Sequence, residues 1–553
     1  MRFVAAALAL AVAGCATTPN APLELKSIAD DVWARQLERD PAARARLGMP
    51  VEQMPDPSYQ RAADDAAFAR RTLERLNRID PKQLGENDRL TFAILKWREQ
   101  MAIDGLQHFW LRSPVTPYNS AARATALIFK QKDLRGDYLK LLDGYARYID
   151  ALTAVVREQQ RRGILLPKAE VPMVRGMFAA MRRDPESSPF FRDVPGAREA
   201  ISNRVNAALD RLVAVLGPEY DAAAPSAVGI GQYPGGAAAY RYLIRLETSF
   251  DLSPEEIHQL GLSEVARLEK ELDAVRIAVG FQGSLAEFHQ FLKTDKRFFE
   301  PSPEAIHARL ARHVAKIEPH IDAYFAQKPA APYGVARLDP SLEGAMTFGY
   351  YKRPEPDDPR GLYYFNGSKP DQRNLLFGLA LMAHELVPGH HFQIARQEES
   401  ASLHPLRREN FDTAFVEGWG EYSAALGLDM GIYDDPYDRA GRLMMDMMLS
   451  SRLVVDTGMN ALGWTREQAM QYLREHSMMS ETEIATETLR YSADIPAQAL
   501  AYKIGSLRMI ALRKRAQERL GPRFDIRQFH EWILANGSMP LQVLEQHVEE
   551  KTQ

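Results

Sequence analysis

A chain of 553 residues with one cysteine, Cys15, cannot staple itself with an internal disulfide. Its fold must therefore rest on an apolar core. A tightly held metal must be gripped by His, Asp or Glu, because no cysteine-rich zinc site can form. The length allows one large core or several of ordinary size. A hydrophobic content of 46% with 26% charged residues is that of a soluble globular protein. With 69 basic against 73 acidic residues and a net charge of -4, there is no basic footprint for nucleic acid.

The first residues account for the cysteine. Arg2 gives a positive start, and Phe3 to Ala13 form an apolar run of signal-peptide length. Val12-Ala13-Gly14-Cys15 then resembles the lipobox of bacterial lipoproteins, in which the cysteine becomes the acylated first residue. Residues 1–14 are read as a signal peptide. Residues 15–24, with Thr17-Thr18-Pro19-Asn20, are read as the lipidated cysteine and its tether. No later run reaches the roughly 18 apolar residues of a spanning helix. The expected location is the cell envelope, facing the periplasm and attached to the membrane through the lipid alone. Ala16, rather than Asp, favours the outer membrane by resemblance to known sorting rules. The oligomeric state is left open.

Helical patterning dominates the rest. Ser253-Pro254-Glu255-Glu256 reads as a capping box with proline at the first helical position, and Ile257, Leu260, Val265, Leu268 and Leu272 follow at helical spacing. Phe529 to Leu534 reads as helix stopped by Asn536-Gly537, and Pro540 suits the start of another. Two stretches break the rhythm. Val228 to Tyr240 reads as a loop, and Met346 to Asn366 as a short strand or hairpin. The expected fold is mostly α, one large helical body over residues 25–553. It has room for two lobes around a deep cleft and a small β hairpin or sheet near the active site.

The chemistry concentrates in Leu381-Met382-Ala383-His384-Glu385-Leu386-Val387-Pro388-Gly389-His390-His391. A zinc peptidase needs two neutral imidazoles on one side and a carboxylate beside them to take a proton from water. The usual spacing is H-E-x-x-H, with histidines four apart. Here the second histidine comes at six (His390) or seven (His391). In a regular helix His390 points about 120° away from His384, and His391 lies about 10 Å further along the axis. Pro388, however, cannot donate to the carbonyl of His384, and Gly389 permits unusual dihedrals. The helix should open between the histidines and bring His390 to the ligand position, with His391 the alternative. Glu417, in Phe415-Val416-Glu417-Gly418-Trp419-Gly420-Glu421, lies on a second helical stretch and supplies a third ligand. Glu421, one turn on, is an outer partner or the alternative ligand. A His2Glu set favours a single zinc ion.

These motifs resemble the bacterial family called domain of unknown function 885, which is similar to gluzincin-type metallopeptidases such as the angiotensin-converting enzyme and thimet oligopeptidase groups. The likeness continues through Val455-Asp456-Thr457-Gly458, Gly463-Trp464, Arg490-Tyr491, Gln498-Ala499 and Ala501-Tyr502-Lys503-Ile504-Gly505, ending at Asn536-Gly537-Ser538-Met539-Pro540-Leu541. There are two departures. Asn460 stands where the family pattern has His, and Ala497 where it has Gly in a Pro-Gly-Gln-Ala run. The resemblance implies a hydrolase of short peptides in which Glu385 is the general base and Tyr491 or Tyr502 steadies the oxyanion. Arg490, Gln498 and Lys503 would hold substrate. An amidase acting on a non-peptide or cell-wall amide, and a non-catalytic peptide- or metal-binding lipoprotein, are the competing classes. Glu385 argues against the last, since binding alone does not need it. The methionines Met444, Met445, Met447 and Met448 read as core packing, and His404 as a loop residue.

Overall fold

The computed structural model of the protein describes residues 20–129, 134–343, 349–355 and 358–553. The expected signal peptide, Cys15 and residues 16–19 of the tether lie outside them. The tether gives way to helix earlier than residue 24. Helix α1 (Ala21–Arg39) has Pro22 in its first turn, where no backbone donor is missed, and buries Ala21, Leu25, Ile28 and Val32.

Helices α2 (Tyr59–Leu76) and α3 (Glu86–Gly105) close over that face with Leu76, Phe92 and Leu95. Helix α4 (Tyr138–Arg161) buries Leu141, Leu142, Tyr145, Ile149, Leu152 and Val156, a spacing of three and four that gives one apolar stripe. This stripe meets Ile201, Val205, Leu209 and Leu212 in a core of its own.

The stretch expected as loop from Val228 to Tyr240 is loop only in its first part. Helix α5 (Gly236–Thr248) starts inside it, because Ala239, Tyr240, Leu243 and Ile244 form a buried face. Helix α6 (Pro254–Ala278) carries the expected capping box. The Glu256 amide donates to Ser253 Oγ at 3.2 Å, and the Ser253 amide donates to the Glu256 carboxylate at 2.9 Å.

Strands β1 (Tyr333–Arg337), β2 (Gly349–Lys352) and β3 (Gly361–Phe365) form a sheet of order β1-β3-β2. The expected hairpin is the antiparallel pair β2–β3, with Tyr351 opposite Tyr363, and β1 adds a parallel partner.

The helices that build and surround the site are α7 (Gly378–Glu385), α8 (His390–Glu399), α9 (Thr413–Leu426), α10 (Pro436–Ala461), α11 (Glu481–Leu489), α12 (Leu500–Leu520) and α13 (Ile526–Leu534). A last helix, α14 (Leu541–Lys551), follows Pro540. The main core joins Met382, Ala383, Phe415, Trp419, Met509, Phe529 and Leu544 from α7, α9, α12, α13 and α14. Helices α9 and α12 touch backbone to backbone: a Cβ on Gly418 would lie 2.7 Å from Gly505 Cα. Met444, Met445 and Met447 are buried among apolar neighbours, and Met448 packs beside them. His404 caps a short helix and pairs with Asp30 at 2.9 Å. No helix among the described residues is long and apolar enough to cross a membrane.

Candidate metal centre

His384 and Glu385 occupy the last turn of α7. The chain then leaves the helix at Leu386 (φ -111°, ψ -88°), passes a cis Val387–Pro388 bond and re-enters helix at His390. Two side chains of α9 hold the turn. Trp419 Nε1 donates to the Pro388 carbonyl at 2.9 Å, and Ser423 Oγ donates to it at 3.3 Å. Gly389 lies directly on the end of α7. A Cβ there would sit 1.8 Å from the His384 carbonyl oxygen, so only glycine permits the approach.

The opened turn brings His390 back beside His384. Their rings stand 4.6 Å apart at 82°. Glu417 Oε2 lies 3.7 Å from His384 Nε2 and 3.4 Å from His390 Nε2. One ligand atom from each of the three side chains falls within 4.8 Å of the others. Ligands about 2.0–2.1 Å from a tetrahedral zinc are separated by about 3.3 Å, so the donor set fits such an ion with little movement. The imidazoles are 4% and 8% exposed. Space for both is left by Gly420, where a Cβ would lie 2.9 Å from His384 Nε2 and 3.0 Å from His390 Cε1.

The field at this point is cation-seeking. Burial alone would depress the His384 imidazole, but Glu417 and Glu421 overcome it and hold its pKa up at about 10. Burial raises the Glu417 carboxyl and the two imidazoles outweigh it, leaving it well below the usual range. Carboxylates that would keep a proton on His384 favour a dication in its place, as metal binding requires a deprotonated imidazole. Glu421 takes the outer position rather than the ligand position. Its Oε1 accepts from Arg442 Nη2 at 2.6 Å, and its Oε2 faces His384 Nδ1 at 3.7 Å. Burial raises the Glu385 carboxyl, with His390 and His384 opposing, and the carboxylate accepts the Tyr351 backbone N–H from β2.

This geometry sits in a chain whose residues 41–548 match the family described as "Bacterial protein of unknown function (DUF885)". The chain belongs to that family. Two solved structures share the DUF885 chain's fold. A "putative lipoprotein" from Colwellia psychrerythraea is 23% identical with a TM-score of 0.84, covering 96% of this chain and 99% of its own. A "putative lipoprotein of unknown function" from Shewanella oneidensis is 16% identical with a TM-score of 0.75, covering 95% and 98%. No curated protein matches.

Other expected residues of the DUF885 chain fall differently. His391 is turned away from the centre. Its Nε2–H donates to the Ala331 carbonyl at 3.0 Å, so Nδ1 accepts from the Tyr351 hydroxyl at 3.0 Å, and neither nitrogen is left for a metal. Burial pushes its pKa down to about 4, consistent with this neutral form.

Tyr491 is fully buried, gives its hydroxyl hydrogen to Glu487 and accepts from Arg452 Nε at 2.7 Å. It therefore has no donor left for an oxyanion. Tyr502 is half-buried, its ring nearly parallel to His384 at 6.3 Å, and its hydroxyl is bonded to Arg490. Lys503 is 3% exposed and saturated by Asp446 and by Glu264 at 2.9 Å. This is a buried ion pair and not a substrate contact. Gln498 Oε1 accepts from Arg490 Nη2 at 2.8 Å, so it positions that guanidinium.

Asn460, the first departure, ties α10 to its surroundings. It donates to the Asp456 and Tyr491 carbonyls and accepts from the Ile230 amide. Ala497, the second, has a φ of 70° in the left-handed region that glycine favours.

Sequence reasoning missed Gly420, the Tyr351 amide, Arg442 and Arg452. The Trp419-Gly420 step beside Glu417 was the one local signal for the first. The others come from segments whose approach only the fold defines.

Proposed function

We propose that this chain is a zinc-dependent hydrolase of peptide bonds in short peptides, held in the cell envelope by a lipid on Cys15. The observation that carries the reading is the convergence of His384, His390 and Glu417, with Glu385 beside them and otherwise poorly solvated. When bound, zinc would polarise a substrate carbonyl and lower the pKa of a water toward about 7. Glu385 takes the proton of the attacking water and passes it to the leaving nitrogen; a carboxyl raised by burial suits both transfers. Tyr502 gives its hydroxyl hydrogen to the developing oxyanion, and Arg490 orients the phenol. Glu421 and Arg442 keep the His384 ring in place. On this reading the arrangement would resemble that of gluzincin-type metallopeptidases. The lipid anchor is supported by the Cys15 motif and by the two solved relatives described as putative lipoproteins. Periplasmic exposure, with the outer membrane as the site of attachment, belongs to the same reading. Glu385→Gln is expected to retain bound zinc and lose peptide hydrolysis. Full activity in that variant would remove Glu385 as the base.

A further inference from the structure

Beside the metal centre, two guanidiniums crowd one carboxylate. Arg452 Nη2 and Arg490 Nη1 both contact Glu487, at 3.2 and 3.3 Å, and neither has another ion-pair partner among the described residues. Asp494, a carboxylate that also feels Arg490, is committed to the Tyr118 and Asn119 amides at 3.0 and 3.3 Å. Arg452 spends its other contacts on Tyr491 and on the face of Tyr502, 4.9 Å from its centre. Arg490 is less satisfied. Gln498 takes one Nη2 hydrogen, but Nε is buried with no acceptor among the described residues. Its guanidinium bonds the Tyr502 hydroxyl, while Tyr118, 54% exposed, covers it with a ring face at 5.0 Å. An arginine edge with an idle Nε–H, one phenol away from the metal ligands, matches the planar fork that grips carboxylates in two parallel bonds.

We infer that Arg490 binds the free carboxylate of the substrate's last residue, so that the enzyme cuts near the carboxy end of short peptides and leaves amidated peptides largely alone. This rests on the hydrolase reading above and narrows its substrate class. Tyr118 covers the outer side of the guanidinium, and Gln498 sets its plane.

The test uses the zinc-loaded chain and N-acetylated tripeptides of varied sequence, each as free acid and as carboxy-terminal amide. Free acids are expected to be cleaved with a kcat/KM at least about tenfold higher, mostly through KM. In the cleavage-dead Glu385→Gln chain, calorimetry should show the free acids binding tighter by a similar factor. Adding Arg490→Gln should bring the two affinities together, with Arg490→Lys in between. Equal cleavage of acid and amide by the unsubstituted chain would overturn the inference while leaving the hydrolase reading intact. If no tripeptide of either kind is cleaved, the hydrolase reading falls and takes this inference with it. The comparison of acid with amide needs no substitution, so a variant that fails to fold does not rescue the proposal.

Discussion

His390 and His391 are adjacent in the chain and face opposite ways, one into the ligand set and the other into a hydrogen-bonded slot behind β2. His390→Ala should abolish stoichiometric zinc while the fold persists. His391→Ala should keep the metal and cost on the order of 1–3 kcal/mol of stability through the partners it strands. Zinc content and urea unfolding of the two proteins separate these outcomes. Ala497 offers a second residue-scale test. Its φ of 70° strains any L side chain, so Ala497→Gly is expected to stabilise by about 1 kcal/mol, read as a higher unfolding midpoint. The sequence was informative at this scale where local geometry decides the outcome: the Pro388-Gly389 step required the helix to open. It failed for Tyr491, because spacing from the metal motif does not reveal the rotation of a side chain in the π-turn Arg490–Asp494. It failed for Lys503 because nothing local announces that Asp446 and Glu264 converge on it.

Helix α9 organises the centre. One face supplies Glu417, the next turn supplies Glu421, Gly420 between them clears room for the imidazoles, and Trp419 and Ser423 fasten the turn that ends α7. Gly420→Ala should push a methyl against both rings and lower zinc affinity. Glu421→Gln should do so by about 10- to 100-fold through loss of ring orientation. Competition with a chromophoric chelator measures both, and unchanged affinity in Glu421→Gln would show that His384 needs no outer support. Capping boxes and apolar periodicity made α6, α13 and α14 legible. The start of α5 was not, because its glycines resemble a loop until Tyr240 and Ile244 are seen to be buried. Strand β1 was missed since its residues are at most half-buried and it pairs in parallel with β3, the second arm of the hairpin, which lies more than twenty residues further along the chain.

At the scale of the whole molecule, stability should depend on groups outside the candidate metal ligands. Both Glu170 oxygens are buried without a hydrogen-bond partner among the described residues. Burial first, and then Asp494, pushes its pKa up to about 8, against a partial pull from Arg466. The folded state therefore favours the protonated acid. Its contribution is complete below about pH 4.5 and is lost as pH rises through 8, at no more than about 1.4 kcal/mol per pH unit. Glu170→Gln should flatten the decline in stability between pH 5 and 8, as measured by urea unfolding at both ends. The measurement closest to the central claim is metal content of the chain beginning at residue 20, beside His384→Ala, His390→Ala and Glu417→Ala. One zinc per unsubstituted chain, lost in each folded variant, is the expected result. An unsubstituted chain that takes up no zinc, or three variants that all keep it, would contradict the account.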